Sequence, residues 1–203
     1  MSIEVKISNK EIPYKQAITY LEERVESLKR GKNKELIWIL EHPLTYTAGI
    51  SWSMKDILDK DINVIETRRG GKITLHNPGQ KVIYFALDLD KRKRNIRRFV
   101  STIENSIIQV LKKYDIESKS DKKNIGIWVN KKKIAAIGIK VSKWIAYHGC
   151  SININNNLED YKKINPCGLS NENITSIFHE NKNINLPKNN EILKIFLKNF
   201  KSF

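Results

Sequence analysis

Tyr14, Ala17, Ile18, Leu21, Val25 and Leu28 recur every three or four residues, the spacing that puts side chains on one face of an α-helix. Pro13 stands at a first-turn position and Gly31 just beyond the last apolar residue, so the pattern predicts an amphipathic helix over 13–30. A second stripe through Ile96, Phe99, Val100, Ile103, Ile107, Val110 and Leu111 predicts a helix over 94–114, and "NNEILKIFLKNF" predicts a closing helix. Between them lie denser apolar runs bounded by Gly, Pro or Asn, each predicted as a strand: "ELIWILEH", "INVIET", "GKITLH", "KVIYFALDL", "IGIWVN", "KKKIAAIGIKV" and "WIAYHGCSINI". The fifth and sixth are expected to form a hairpin across a lysine-rich turn. "HPLTYTAG" reads as a loop, and "KDIL" and "LEDYKKI" as short helical turns. Strands come in runs between helices, with no internal repeat and no linker. The expectation is therefore one α+β domain over 1–203, built on a mixed, largely antiparallel sheet flanked by helices.

Composition narrows the function classes. A chain of 203 residues buries about 70% of its unfolded surface and needs no covalent staples. Cys150 and Cys167 are too few for a disulfide framework and lack CxxC spacing. The opening "MSIEVKISNK" has no apolar run after its basic residues, and no window approaches 18 uninterrupted apolar residues. A soluble, cytoplasmic protein is expected. The net charge of +15, from 37 basic and 22 acidic residues, suits nucleic-acid binding or an acidic protein partner. It also suits plain compositional drift, because Lys, Asn and Ile crowd even "HENKNINLPKNNEILK".

The stretch "TRRGGKITLHNPGQKVIYFALDL" carries the first chemical question. It holds neither GxGxxG nor GxxxxGK followed by Ser or Thr, and it does not open a helix, so it is not a phosphate loop. A nucleic-acid clamp would interleave aromatics with its basic residues; Tyr84 and Phe85 sit inside the apolar strand instead. What remains is a strand–turn–strand wall whose glycines let a ligand approach the backbone, with Arg69 and His76 supplying polar contacts at one end. The plainer reading is a tight hairpin with incidental charges. His42, His76, His148 and His179 are scattered, without metal-site spacing, and no G-x-S-x-G elbow nominates a serine.

That leaves the cysteines. Cys167, in "INPCGLS", lies between a stiffening proline and an uncrowding glycine in a loop. A thiol there needs a nearby ammonium to become an effective thiolate. Cys150, in "YHGCSI", shares a strand face with His148, but its apolar alternation suits a small buried residue better. Local context favours Cys167 as the nucleophile.

Four blocks together, "RRGGKITLHNPGQ", "GIWVNKKKIAAIGIKV", "HGCSININ" and "INPCG", with "LEHPLTYTAG" upstream, resemble the lipoyl-pathway octanoyltransferases, also called the lipoate-protein ligase B family. The resemblance spans roughly 36–178 and implies a biotin/lipoate-protein ligase-like α/β fold. It implies transfer of an octanoyl group from octanoyl-acyl carrier protein to a lysine of lipoyl carrier domains, those of 2-oxoacid dehydrogenases and the glycine cleavage H protein. Cys167 would hold the acyl group as a thioester, and Lys133 would lower that thiol's pKa and shuttle protons. The substrate-contacting segments would be Arg69, Gly70, Gly71, Lys72, Ile73, Thr74, Leu75 and His76; Ala136, Ile137 and Gly138; and Gly149, Cys150 and Ser151.

No cofactor, no metal, no nucleic acid and no membrane partner is implied, and a monomer is expected. Two other readings are an ATP-dependent lipoate or biotin ligase of the same fold and a basic nucleic-acid-binding module. The chain departs from the family pattern at Asn77, where glycine is usual and where a left-handed turn is expected to survive. It departs also at Leu75, expected to reshape the pocket wall, and at Cys150, expected to pack.

Overall fold

The computed structural model describes residues 3–121, 123–166 and 173–203. Two sheets organise it. The larger is seven-stranded, in the order β1-β2-β6-β10-β9-β8-β7: β1 (Ile3–Ile7), β2 (Glu35–Leu40), β6 (Gln80–Asp88), β7 (Lys119–Ser120), β8 (Ile127–Val129), β9 (Lys132–Ser142) and β10 (Ile145–Asn153). Only the β1–β2 pair is parallel. The smaller sheet is β4 (Val64–Glu66), β3 (Thr45–Ala48) and β5 (Ile73–His76), with β3–β4 parallel and β3–β5 antiparallel. The helices are α1 (Tyr14–Lys29), α2 (Ile96–Lys112), α3 (Ile177–Glu180) and α4 (Asn189–Lys201).

The continuous apolar runs of β2 and β6 follow from burial on both faces. Ile37, Ile39, Ile83, Phe85 and Leu87 pack with Phe99 of α2 and Phe196 and Phe200 of α4. The alternate positions Leu36, Trp38, Leu40, Val82, Tyr84 and Ala86 meet Ala17, Leu21 and Val25 of α1. β8 and β9 form the expected hairpin, Val129 opposite Lys132. Its two turn residues, Asn130 and Lys131, both take positive φ, 45° and 69°, the twist a two-residue hairpin favours.

Three features depart from the sequence reading. "HPLTYTAG" contains a buried strand, β3, and the N-terminal "IEVKI" adds β1 at the sheet edge. The segments on either side of "NPG" are not a hairpin: β5 pairs with β3 in the small sheet, β6 with β2 and β10 in the large one. Asn77–Gln80 is instead a turn that carries the chain from one sheet to the other. Gln80 N donates to Asn77 O at 3.1 Å, and Gly79 takes φ 84°, a conformation that favours glycine at the third position of such a turn. Asn77 itself does not adopt a positive φ. It is buried and works through its side chain: Nδ2 donates to Asn157 O and Asp160 Oδ2, both at 2.8 Å, and Oδ1 accepts from Asn156 Nδ2 at 2.9 Å.

Candidate active site

A cavity of ≈ 340 Å³ opens between the small sheet and strands β6, β9 and β10, within the size range of small-molecule sites. One wall is the loop before β5 and β5 itself: Arg69, Gly70, Gly71, Lys72, Ile73, Thr74 and His76 all line it. The other is Lys133, Ala136, Ile137, Gly138, Gly149, Cys150 and Ser151. Leu75 departs from the expectation. It is fully buried in an apolar cluster with Tyr46, Ile73, Tyr161 and Ile164 instead of lining the cavity. The apolar run after the turn contributes only its alternate residues Val82 and Tyr84.

Arg69 braces its loop against β3. Its Nη2 donates to Thr47 O at 2.8 Å and Thr47 Oγ1 at 3.0 Å, and its Nη1 to Gly70 O at 3.0 Å. Backbone bonds finish the seam: Ile50 N to Arg69 O at 3.0 Å, Ser51 N to Gly71 O at 3.1 Å and Gly70 N to Ile139 O at 3.2 Å. On the opposite wall Gly138 and Gly149 are cross-strand partners in the β9–β10 pairing. A Cβ at Gly149 would stand 1.8 Å from Ile83 O, and one at Gly138 3.2 Å from Gly70 O. This wall is therefore bare backbone, the surface a ligand can approach most closely.

Lys133 is 5% exposed, with its ammonium 5.6 Å from the centre of the Trp128 ring. Its backbone O accepts from Thr175 N at 3.0 Å, and Lys133 bridges to Ile174. A chain of buried hydrogen bonds reaches this point from His76. His76 Nδ1 donates to Gln80 Oε1 at 2.7 Å, Gln80 Nε2 to Asn153 Oδ1 at 2.9 Å and Asn153 Nδ2 to Thr175 O at 2.9 Å. Buried amides held at both ends have one geometry, which fixes the Lys133 backbone relative to the wall.

Three histidines around the cavity are neutral. Burial holds His42 down to about 4 against the opposing pull of its bond to Ile12 O, and holds His76 down to about 3, with His42 adding to the effect. Burial first, then Arg69 and Lys140, holds His148 down to about 3. His42 Nδ1 donates to Ile12 O at 2.5 Å, so its Nε2 accepts from the Tyr84 hydroxyl at 2.8 Å. Tyr14 stacks on His76 at 5.9 Å between ring centres and meets His42 edge-on at 5.3 Å. His148 is unusual: it takes φ 63° inside β10, and neither ring nitrogen has a hydrogen-bond partner among the described residues. It therefore makes no pair with Cys150.

Cys150 is buried in the main core, and burial pushes its thiol far above the usual range, which leaves it without thiolate character near neutrality. Cys167 lies outside the described residues. Its neighbour Pro166 lines a small adjoining cavity together with Lys133, Ala136, Ser151 and Ile174. Tyr14 and His148 also line the main cavity without having been expected there, while Tyr84 belongs to the strand expected to wall it. Tyr14 and Tyr84 carry the same apolar spacing as core residues, so only the fold could separate the two roles. Among the described residues no three or more His, Cys, Asp or Glu are grouped to hold a metal ion.

The model of the lipoyl protein ligase A/B catalytic domain matches residues 13–201. The chain belongs to that family. It is 40% identical to the octanoyltransferase of Bartonella henselae, over 97% of this chain and 84% of the relative. It is 44% identical to that of Ehrlichia chaffeensis, over 86% and 85%, and 41% identical to that of Wolbachia pipientis wMel, over 93% and 94%. Solved structures share the fold at low identity. A putative lipoate protein ligase from T. acidophilum, with bound lipoic acid, superposes at a TM-score of 0.73 with 13% identity, covering 100% of this chain and 86% of that one. P. falciparum LipL1 in complex with lipoate gives 0.71 with 18% identity, covering 100% and 60%. The lipoate/biotin protein ligase-like fold, with mixed sheets flanked by helices, is thus this family member's fold. No helix among the described residues is long and apolar enough to cross a membrane.

Proposed function

We propose that this family member is an octanoyltransferase that moves an octanoyl group from octanoyl-acyl carrier protein to a lysine of lipoyl carrier domains, through a thioester on Cys167. The observation that carries the reading is local. Pro166, the residue before Cys167, lines the same small cavity as Lys133, and that cavity shares Lys133, Ala136, Ser151 and Thr74 with the main one. The octanoyltransferase relatives point to the same acyl group.

In the first step the Cys167 thiolate, held by the Lys133 ammonium, attacks the carbonyl carbon of the incoming thioester. The bond to the carrier's sulfur breaks, and that sulfur leaves with the proton Cys167 gave up. One thioester replaces another at little free-energy cost. In the second step the acceptor's neutral amine attacks the same carbon, the bond to Cys167 breaks, and the amine's proton passes through Lys133 to the departing sulfur. Thioester-to-amide conversion runs downhill without nucleotide. Backbone N–H groups of the glycine-bearing strands would stabilise the tetrahedral oxyanion. At about 0.8 kcal/mol per buried CH₂, an eight-carbon chain contributes several kcal/mol of binding. The acceptors in this reading are lipoyl domains of 2-oxoacid dehydrogenases and the glycine cleavage H protein.

The test is intact-mass measurement after incubation with octanoyl-acyl carrier protein and no nucleotide, with peptide mapping. One octanoyl adduct on Cys167, absent from Cys167→Ser, is expected. An undiminished adduct in Cys167→Ser, or turnover only with ATP, would overturn the assignment.

A further inference from the structure

The two most exposed large apolar side chains among the described residues, Met54 at 73% and Ile50 at 72%, stand on one loop, with Leu58 at 51% just beyond. That loop belongs to the cavity mouth. Ile50 N and Ser51 N are bonded to the Arg69–Gly71 wall, and the other end is tied by Leu58 N to Lys163 O at 3.0 Å and by Asn165 N to Asp56 O at 2.8 Å. Both ends of the loop are therefore fastened beside the site, and among the described residues nothing covers its apolar side chains. Exposed apolar residues grouped at a cavity mouth mark a contact surface.

A second edge of the cavity differs in character. Lys123 and Ile125 line the cavity there, Ile125 at 54% exposure. Lys123 is itself exposed, and Lys119 on the neighbouring β7 is exposed as well. On the apolar side the nearest carboxylates are occupied: Asp56 is buried and accepts from Ser53 N at 2.9 Å, and Asp59 pairs with Lys163 at 3.3 Å. A partner seated at this mouth meets the apolar Ile50 and Met54 together with the ammonium groups of Lys119 and Lys123.

We propose that the acidic protein delivering the acyl thioester docks at this mouth, anchored on Ile50 and Met54 and oriented by Lys119 and Lys123. The surface is assigned to the donor because the donor is the partner that must thread an acyl chain into this mouth, so its protein body comes to rest on it. An apolar anchor supplies residence, while opposite charge supplies orientation and encounter rate. The proposal rests on the acyl-transfer reading.

The test compares two donors in single-turnover acylation of Cys167: octanoyl-acyl carrier protein, and octanoyl coenzyme A as a thioester without a protein body. Ile50→Glu and Met54→Glu, both at exposed positions that leave the core intact, are expected to lower acylation by the carrier at least tenfold while changing the coenzyme A reaction less than twofold. The carrier reaction of the unaltered protein is expected to slow steeply with added salt, as long-range charge contacts do, and the coenzyme A reaction much less. Equal losses with both donors, or none with the carrier, would overturn the docking surface. So would a loss confined to transfer from acylated enzyme to the lipoyl domain, which would assign the surface to the acceptor. Failure of the unaltered protein to acylate from either donor removes the acyl-transfer reading itself.

Discussion

Gly126 lies directly against Lys133. A Cβ at Gly126 would stand 2.3 Å from Lys133 Cε and 3.1 Å from Nζ, and Gly126 takes φ 145°, where a side chain is strained. The glycine thus gives the buried lysine the room in which its ammonium lies. Gly126→Ala is expected to cost on the order of 1–3 kcal/mol of backbone strain and to displace that ammonium. The readout is the pH profile of Cys167 alkylation, which should move to higher pH in Gly126→Ala and in Lys133→Ala alike, with acyl transfer falling tenfold or more. An unmoved profile in either variant would separate Lys133 from the thiol.

Cys150 predicts the opposite outcome. It packs among core residues and its thiol is held protonated by burial. Cys150→Ala is expected to lose on the order of 1 kcal/mol of stability and to keep the covalent octanoyl adduct and most of its activity. Loss of the adduct in a folded Cys150→Ala would reverse the ranking of the two cysteines.

Acid should unfold this protein early. His42, His76 and His148 stay neutral in the fold down to about 4, 3 and 3, whereas in the unfolded chain each takes a proton near 6.5. The unfolded state then binds more protons between those limits. Stability is complete above pH 6.5 and falls as pH drops toward 4, by up to about 4 kcal/mol per pH unit if all three contribute. Urea midpoints at pH 7.5 and 5 measure this, and a flat profile across that interval would contradict the buried, neutral histidines.

Asn77→Gly restores the residue usual in the family yet should weaken this chain. Asn77 bonds three partners, Asn156, Asn157 and Asp160, and removing it strands partly buried polar groups at about 1–3 kcal/mol. The expected effect is a Tm lower by roughly 2–4 °C for each kcal/mol lost. A rise in Tm would mean that the turn, not the side chain, governs this position.

The long helices were legible because each holds one spacing over thirteen or more residues: the stripe from Tyr14 to Leu28 marks α1 closely. β1 was not, because "IEVKI" is five residues with Val5 39% and Ile7 38% exposed, too short and too wet for alternation to speak. β3 hid behind Pro43, Thr45 and Thr47, turn-like in sequence but buried through contact with β5. The division into two sheets is a tertiary fact: "NPG" announces a turn, and nothing in it says whether the flanking strands pair. In the site, the motif residues from Arg69 to Ser151 were readable and, Leu75 apart, converge on one cavity. Tyr14 and His148 were not readable as site residues, since an aromatic at a core position looks the same whether a cavity or a neighbour lies beside it.

Gly138 and Gly149, cross-strand neighbours in one wall, are backbone without side chains, hard against Gly70 and Ile83. A slot with such a wall screens its guests by thickness. Straight acyl chains slip along it, whereas a methyl branch near the carbonyl meets main-chain atoms that have nowhere to retreat, so branched donors should acylate this enzyme far more slowly than straight ones of equal carbon number. A branched thioester that reacts as fast as octanoyl would show that the slot yields.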